Sequence, residues 1–268
     1  MNSSDKLLDC AIDAATAAGR HAFCNMARNK EVIQETSHDV KLKLDVECQQ
    51  IASETIASAF PEHSFLGEEG PEASEPAYSE YLWVVDPIDG TVNFSHGFPF
   101  WCNSVAVLDR DGNTVAGAVY APEMDELFTA SVNRESRLNG ERIKVSETAR
   151  LSKAMILTGF DRNVSEALPP MSFLQAIESA SRKVRAAGAA ALDLCRVAAG
   201  QSDGYFEAGI FTWDIAAGAL VVEQAGGRTD LLKKLRDHPH RKAFMASNGV
   251  IHEELKAVLQ DVLAPIQD

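Results

Sequence analysis

Trp83-Val84-Val85-Asp86-Pro87-Ile88-Asp89-Gly90-Thr91-Val92-Asn93-Phe94 joins an apolar, β-branched run to an acidic turn. The residue before a proline is kept out of the helical region, so Asp86 is expected to be extended at the end of a strand. Pro87 fixes its own φ and turns the chain. Asp86 and Asp89 then face one another across a tight loop instead of lying along a helix. Two carboxylates held that close repel and raise one pKa unless a cation sits between them. Hard oxygen ligands at a rigid turn suit Mg²⁺, and the backbone carbonyl of Ile88 is a further ligand of the same kind. Gly90 lets the backbone approach a ligand closely, and Thr91 is expected to cap a short helix. A helix N-terminus beside a metal site is a ready phosphate cradle. The bland alternative is an Asx-rich turn with Thr91 as a cap and nothing more.

Working outward, Ser4 to Met26 places Leu7, Leu8, Ala11, Ile12, Ala15 and Ala18 on one helical stripe, and a second helix is expected from about Val46 to Ala59. Ser64-Phe65-Leu66 and Tyr81 to Val85 read as short strands that end in acid. Strands follow at Cys102–Leu108, Thr114–Tyr120 and Glu126–Ser131, the first two joined by Arg110-Asp111-Gly112-Asn113, a hairpin signal. After about residue 150 the pattern alternates. Strands are expected at 154–158, 183–187, 204–207 and 244–247, with helices at 165–181, 190–199, 215–225 and 251–263. This pattern makes an α+β first half (1–150) and an α/β second half (151–268), together one layered unit. Gly70 to Pro76 reads as an acidic surface loop.

The chain has 268 residues, 46% of them hydrophobic, enough for a substantial core. Its formal net charge is −14. So acidic a surface repels phosphodiester backbones and anionic lipids, which excludes nucleic acid and membranes as partners held by general electrostatics. A small anion binds only where a cation or a set of backbone amides reverses the local sign. Cys10, Cys24, Cys48, Cys102 and Cys195 form no C-x-x-C pair. That odd set points to reduced, structural thiols in a cytoplasmic protein. The N-terminal stretch carries Asp5, Asp9 and Asp13, unlike a secretory signal, and no apolar run is long enough to span a membrane.

Four separated matches now make the chain resemble the inositol monophosphatase family of magnesium-dependent, often lithium-sensitive phosphatases. They are Asp45, Gly67-Glu68-Glu69, the stretch 83–94, and Trp213-Asp214-Ile215-Ala216-Ala217-Gly218 with its continuation to Gly227. Weaker echoes are Leu138-Asn139-Gly140, Gly188-Ala189-Ala190 and 204–209. The resemblance implies an α-β-α-β-α sandwich of the inositol monophosphatase/fructose-bisphosphatase type and, commonly, a homodimer. It implies that Glu68, Asp86 and the Ile88 carbonyl hold one Mg²⁺ and that Asp86, Asp89 and Asp214 hold a second. A third ion would touch Glu68 through water. Asp45 and Thr91 would orient and help deprotonate the attacking water, with Glu68 also catalytic. Gly90 and Thr91 amides would bind phosphate, while Glu207 and Gly188, Ala189 and Ala190 would meet sugar hydroxyls. Four acids and two Mg²⁺ ions cancel, which admits a phosphate. Direct attack of a metal-activated water on phosphorus then needs no covalent nucleophile.

The expected substrate is a small polyol phosphate, foremost myo-inositol 1-phosphate. Fructose 1,6-bisphosphate, histidinol phosphate and adenosine 3′,5′-bisphosphate stay open, as does a non-catalytic protein that binds a phosphorylated ligand. A carboxylate such as Glu207 accepts bonds from neighbouring hydroxyls and offers little to adenine. One departure from the family stands before Asp45, where Asp39-Val40-Lys41-Leu42-Lys43-Leu44 replaces a small, threonine-containing strand. Strand alternation would set Lys41 and Lys43 on the side of Asp45. Both amines are expected in solvent, with Lys43 at the metal edge, blunting lithium inhibition, as the sharper alternative. His238-Pro239-His240 reads as an exposed loop.

Overall fold

The computed structural model describes residues 3–35, 40–69, 79–160, 170–235 and 238–263. The acidic loop expected at 70–76 and the start of the helix expected at 165 lie outside them. Helices α1 (Ser3–Cys24), α2 (Lys43–Ala59), α3 (Thr91–His96), α4 (Pro170–Ala180), α5 (Ala190–Ala198), α6 (Thr212–Gln224) and α7 (His252–Leu263) alternate with strands. A ribbon pairs β1 (Val32–Glu35) with β2 (Val40–Leu42). One seven-stranded sheet runs, in spatial order, through β3 (Ser64–Gly67), β4 (Leu82–Asp89), β5 (Cys102–Leu108), β6 (Thr114–Ala121), β7 (Glu126–Ser131), β8 (Arg134–Leu138) and β9 (Glu141–Arg142). Only β3 and β4 are parallel neighbours; every other pair is antiparallel.

The second sheet uses β10 (Met155–Thr158), β11 (Lys183–Arg185), β12 (Gly204–Phe211), β13 (Arg228–Lys234) and β14 (Arg241–Ser247), in the order β11-β10-β12-β14-β13. β11, β10 and β12 are parallel, which the intervening α4 and α5 make possible as crossovers, and β14 and β13 return antiparallel. α1 and α2 cover the outer face of the larger sheet, and α4 and α7 the outer face of the smaller. α5 and α6 lie between the sheets and touch both. The layers are therefore α-β-α-β-α, and the central core unites both halves, Val119 and Phe128 from one with Leu194, Leu220 and Phe244 from the other.

Local chemistry explains the elements. The stripe of α1 is buried at Leu7, Leu8, Ala11, Ala15 and Ala18, as its period requires. α6 is apolar over most of its surface, Ile215 to Val222 above all, because it lies between two sheets. Three expectations are corrected. The chain does not turn at Pro87: β4 continues to Asp89, and its register against β5 jumps from Asp86↔Ser104 to Asp89↔Cys102. β2 ends at Leu42 and α2 begins at Lys43, so strand alternation does not relate Lys41, Lys43 and Asp45. His238-Pro239-His240 is a turn with Pro239 exposed, but its two histidines are not: both half-buried rings pack on Trp213, and His238 also meets Phe211 edge-on. Among the described residues no helix is long and apolar enough to cross a membrane, and all five cysteines are free thiols.

Candidate active site

A cleft of about 250 Å³ opens where β4 ends against the first turn of α5. Glu68, Asp86, Ile88, Asp89, Gly90 and Thr91 line it from the first half. Gly188, Ala189, Ala190, Glu207 and Asp214 line it from the second. The irregular register that lengthens β4 is what lets two aspartates three residues apart both reach this space. Asp45 does not line the cleft; it is buried at the first turn of α2, accepting the Leu42 amide at 2.6 Å, and its charge is felt by Glu68. Asp214 holds the matching position on α6 and accepts the Phe211 amide at 2.9 Å, so it caps its helix and faces the cleft at once.

Burial pushes Glu68 well up, with Asp214 and Glu69 adding repulsion. Asp86 is likewise raised by burial, then by Glu68, Asp89 and Asp214. The two side chains share a hydrogen bond, which requires a proton between them. Asp86 Oδ1 is buried and meets no donor among the described residues. An orphaned carboxylate oxygen costs free energy unless a proton or a cation satisfies it. Asp89 is held differently: Oδ1 accepts the Ala190 amide at 3.0 Å and Oδ2 the Ala191 amide at 2.8 Å. Burial raises its pKa to about 6, and those amides restrain the rise. The donor set is all hard oxygen, which suits Mg²⁺. No three His, Cys, Asp or Glu side chains among the described residues already form a closed ion cage, so the fit lies in donor chemistry and the unmet oxygen.

Gly90, with φ +88°, occupies the N-cap position of α3. This corrects the expected Thr91 cap. The Thr91 hydroxyl instead donates to the Ile88 carbonyl at 2.9 Å. A Cβ at Gly90 would come within 3.1 Å of Ala189 Cβ and of the Gly188 and Phe100 carbonyls, so its missing side chain lets the two walls meet. Glu207, on β12, accepts Tyr205 Oη at 2.6 Å. A Cβ at residue 159 would overlap that carboxylate, which explains glycine there. Lys41 is not free in solvent; it pairs with Glu69 beside the cleft. Lys43 is 57% exposed, as expected, and its amine lies 3.8 Å from Glu31.

Sequence reasoning passed over Asn93. Its amide donates to Phe100 O at 2.7 Å and Ala187 O at 2.8 Å, fastening α3 to the segment before Gly188. It also passed over Asp193 on α5, one helical turn after Ala190. The carboxyl is 1% exposed, lines the cleft and is pushed up by burial, then by Asp89 and Glu207, with Arg196 opposing. A lone acid inside an otherwise apolar helical run was the available signal.

Fold and cleft together define a layered α-β-α-β-α protein with an acid-walled site between its halves. The chain belongs to the inositol monophosphatase family, whose model matches residues 3–264. It is 37% identical over 265 residues to the Nus factor SuhB of Vibrio cholerae, covering 96% of this chain and 95% of that one. It is 35% identical over 257 residues to the inositol-1-monophosphatase of Synechocystis, covering 94% and 88%. The solved inositol monophosphatase of Anabaena superposes with a TM-score of 0.84 at 33% identity, covering 97% of each chain. These names agree on family and diverge on role, so family membership fixes the phosphatase class and leaves the substrate to the cleft.

Proposed function

We propose that this chain is a Mg²⁺-dependent phosphomonoesterase for a small polyol phosphate, foremost myo-inositol 1-phosphate. The carrying observation is the buried, donorless Asp86 Oδ1 beside Glu68 in a cleft walled by further acids. In this reading Glu68, Asp86 and the Ile88 carbonyl would hold one ion, and Asp86, Asp89 and Asp214 would hold a second. Bound there, magnesium supplies charge neutralisation, a lowered pKa for water and polarisation of the phosphoryl oxygens. The chain supplies position. Gly90 and Thr91 amides would receive the phosphate, Thr91 on the cleft and Asp45 behind it would orient and help deprotonate the attacking water, and Glu207 and residues 188–190 would hold the alcohol's hydroxyls. With Asp86, Asp89 and Asp214 engaged by the ions in this reading, water would attack phosphorus directly, with inversion, and no aspartyl phosphate should be trapped. Free cysteines support a reducing, cytoplasmic setting, and family membership supports a homodimer of units built from halves 1–150 and 151–268.

A phosphate-release assay decides the matter. Wild-type protein is offered myo-inositol 1-phosphate, fructose 1,6-bisphosphate, histidinol phosphate and adenosine 3′,5′-bisphosphate, each with Mg²⁺ and with EDTA. The expected outcome is release from the inositol ester with Mg²⁺ and a rate near background with EDTA. Release from none of the four would overturn the proposal.

A further inference from the structure

Asp193 lies in the partition between two cavities. One is the acid-walled cleft; the other, of about 370 Å³, is lined largely by apolar side chains such as Phe98, Phe100 and Leu157. Asp193 Oδ1 meets no hydrogen-bond donor among the described residues, although the residue is 99% enclosed. Two strong donors nearby are committed elsewhere, and the Ser202 hydroxyl, on the second cavity, likewise meets no partner among the described residues. Arg196 spends its guanidinium on Glu126, at 2.5 and 3.1 Å, and on Gln201 at 2.9 Å. Tyr205 donates to Glu207. Buried carboxyl oxygens are nearly always satisfied, so one left without a donor on a residue that lines a ligand cleft marks a place for a ligand's donor.

We infer that Asp193 is a specificity-determining residue whose Oδ1 takes a hydroxyl of the substrate alcohol next to the hydroxyl taken by Glu207. The pair then selects phosphate esters of alcohols with two neighbouring hydroxyls. This rests on the phosphatase reading above and extends its recognition of the alcohol. A neutral hydrogen bond contributes about 1 kcal/mol, so its loss appears as a roughly fivefold to tenfold change.

The test compares kcat/KM for myo-inositol 1-phosphate with that for p-nitrophenyl phosphate, whose alcohol has no neighbouring hydroxyls. In Asp193→Ala the ratio of the two is expected to fall about tenfold, through KM. Asp193→Asn keeps shape and one acceptor, so most of the ratio should return; it also serves if the alanine variant does not fold. A structural role would lower both substrates together and leave the ratio unmoved, which overturns the inference. If wild type hydrolyses neither ester, the phosphatase reading fails separately. Calorimetry with free myo-inositol then decides Asp193: tenfold weaker binding to the alanine variant supports it, and equal or absent binding to both proteins overturns it.

Discussion

Two buried polar clusters in this molecule have opposite character. Behind β14, Ser247 Oγ and His252 Nδ1 are 2.8 Å apart, His252 Nε2 lies 3.2 Å from Asp230, and Lys256 reaches Asp230 at 2.6 Å. The residue types are those of a hydrolase triad, yet Ser247 and His252 are wholly buried and line neither cavity. Hydroxyl, imidazole and carboxylate complete one another's hydrogen bonds. Burial alone would raise Asp230, but Lys256 and His252 hold it below its ordinary value. In the cleft, Glu68 and Asp86 are raised, Asp86 Oδ1 is unmet, and the acids face one another. A complete polar network fastens the fold, whereas an incomplete one beside open space awaits something from outside. Residue type alone would have pointed to the wrong cluster.

The sharpest way to break this contrast is to neutralise Asp86. Asp86→Asn is expected to lower kcat roughly a thousandfold, the scale of losing a pre-organised charge site. Its melting temperature in EDTA should not fall below that of wild type, because a repelling charge has gone. Retained activity would move the ion site elsewhere.

Second in size is the pH dependence without metal. Asp89 is raised to about 6, so its neutral form favours the fold. That stability is present below the unfolded value near 4 and is lost as pH rises through about 6, a swing on the order of 3 kcal/mol. Asp230 runs the other way: its stability is present above the unfolded value and is lost as pH falls through the depressed folded one. Urea melts in EDTA between pH 4 and 8 should show stability declining with pH, and saturating Mg²⁺ should flatten the slope. A rise with pH in EDTA would contradict the acid-repulsion account.

The smallest effect belongs to the complete cluster. Ser247→Ala should cost about 1–2 kcal/mol of stability and leave kcat where it was. A large fall in kcat with an intact melt would mean that this cluster reaches substrate after all.

Much of this was legible in sequence because short motifs carry their own local geometry. Asp86-Pro87-Ile88-Asp89-Gly90-Thr91 marked one wall of the cleft, and the apolar periods marked α1, α5 and α6. What escaped depends on partners far along the chain. Whether residues 87–89 turn or stay extended is decided by pairing with Cys102. The role of Asn93 lies in a carbonyl 94 residues away. β13, Arg228 to Lys234, has the charged, half-exposed composition of an edge strand and shows no clear alternation. The starts of α2 and α6 were read late because Asp45 and Asp214 look like the residue before a helix. Each instead sits inside the first turn and reaches back.

The middle layer has a consequence for biosynthesis. β9 ends at Arg142, but α5 and α6, which cover the inner face of the first sheet, end only at Ala198 and Gln224. At ordinary translation rates of about 5–20 residues per second, several seconds pass between the two events. During that interval the emerging polypeptide shows a finished greasy surface with nothing laid over it, and the late helices rescue it from sticking to its neighbours.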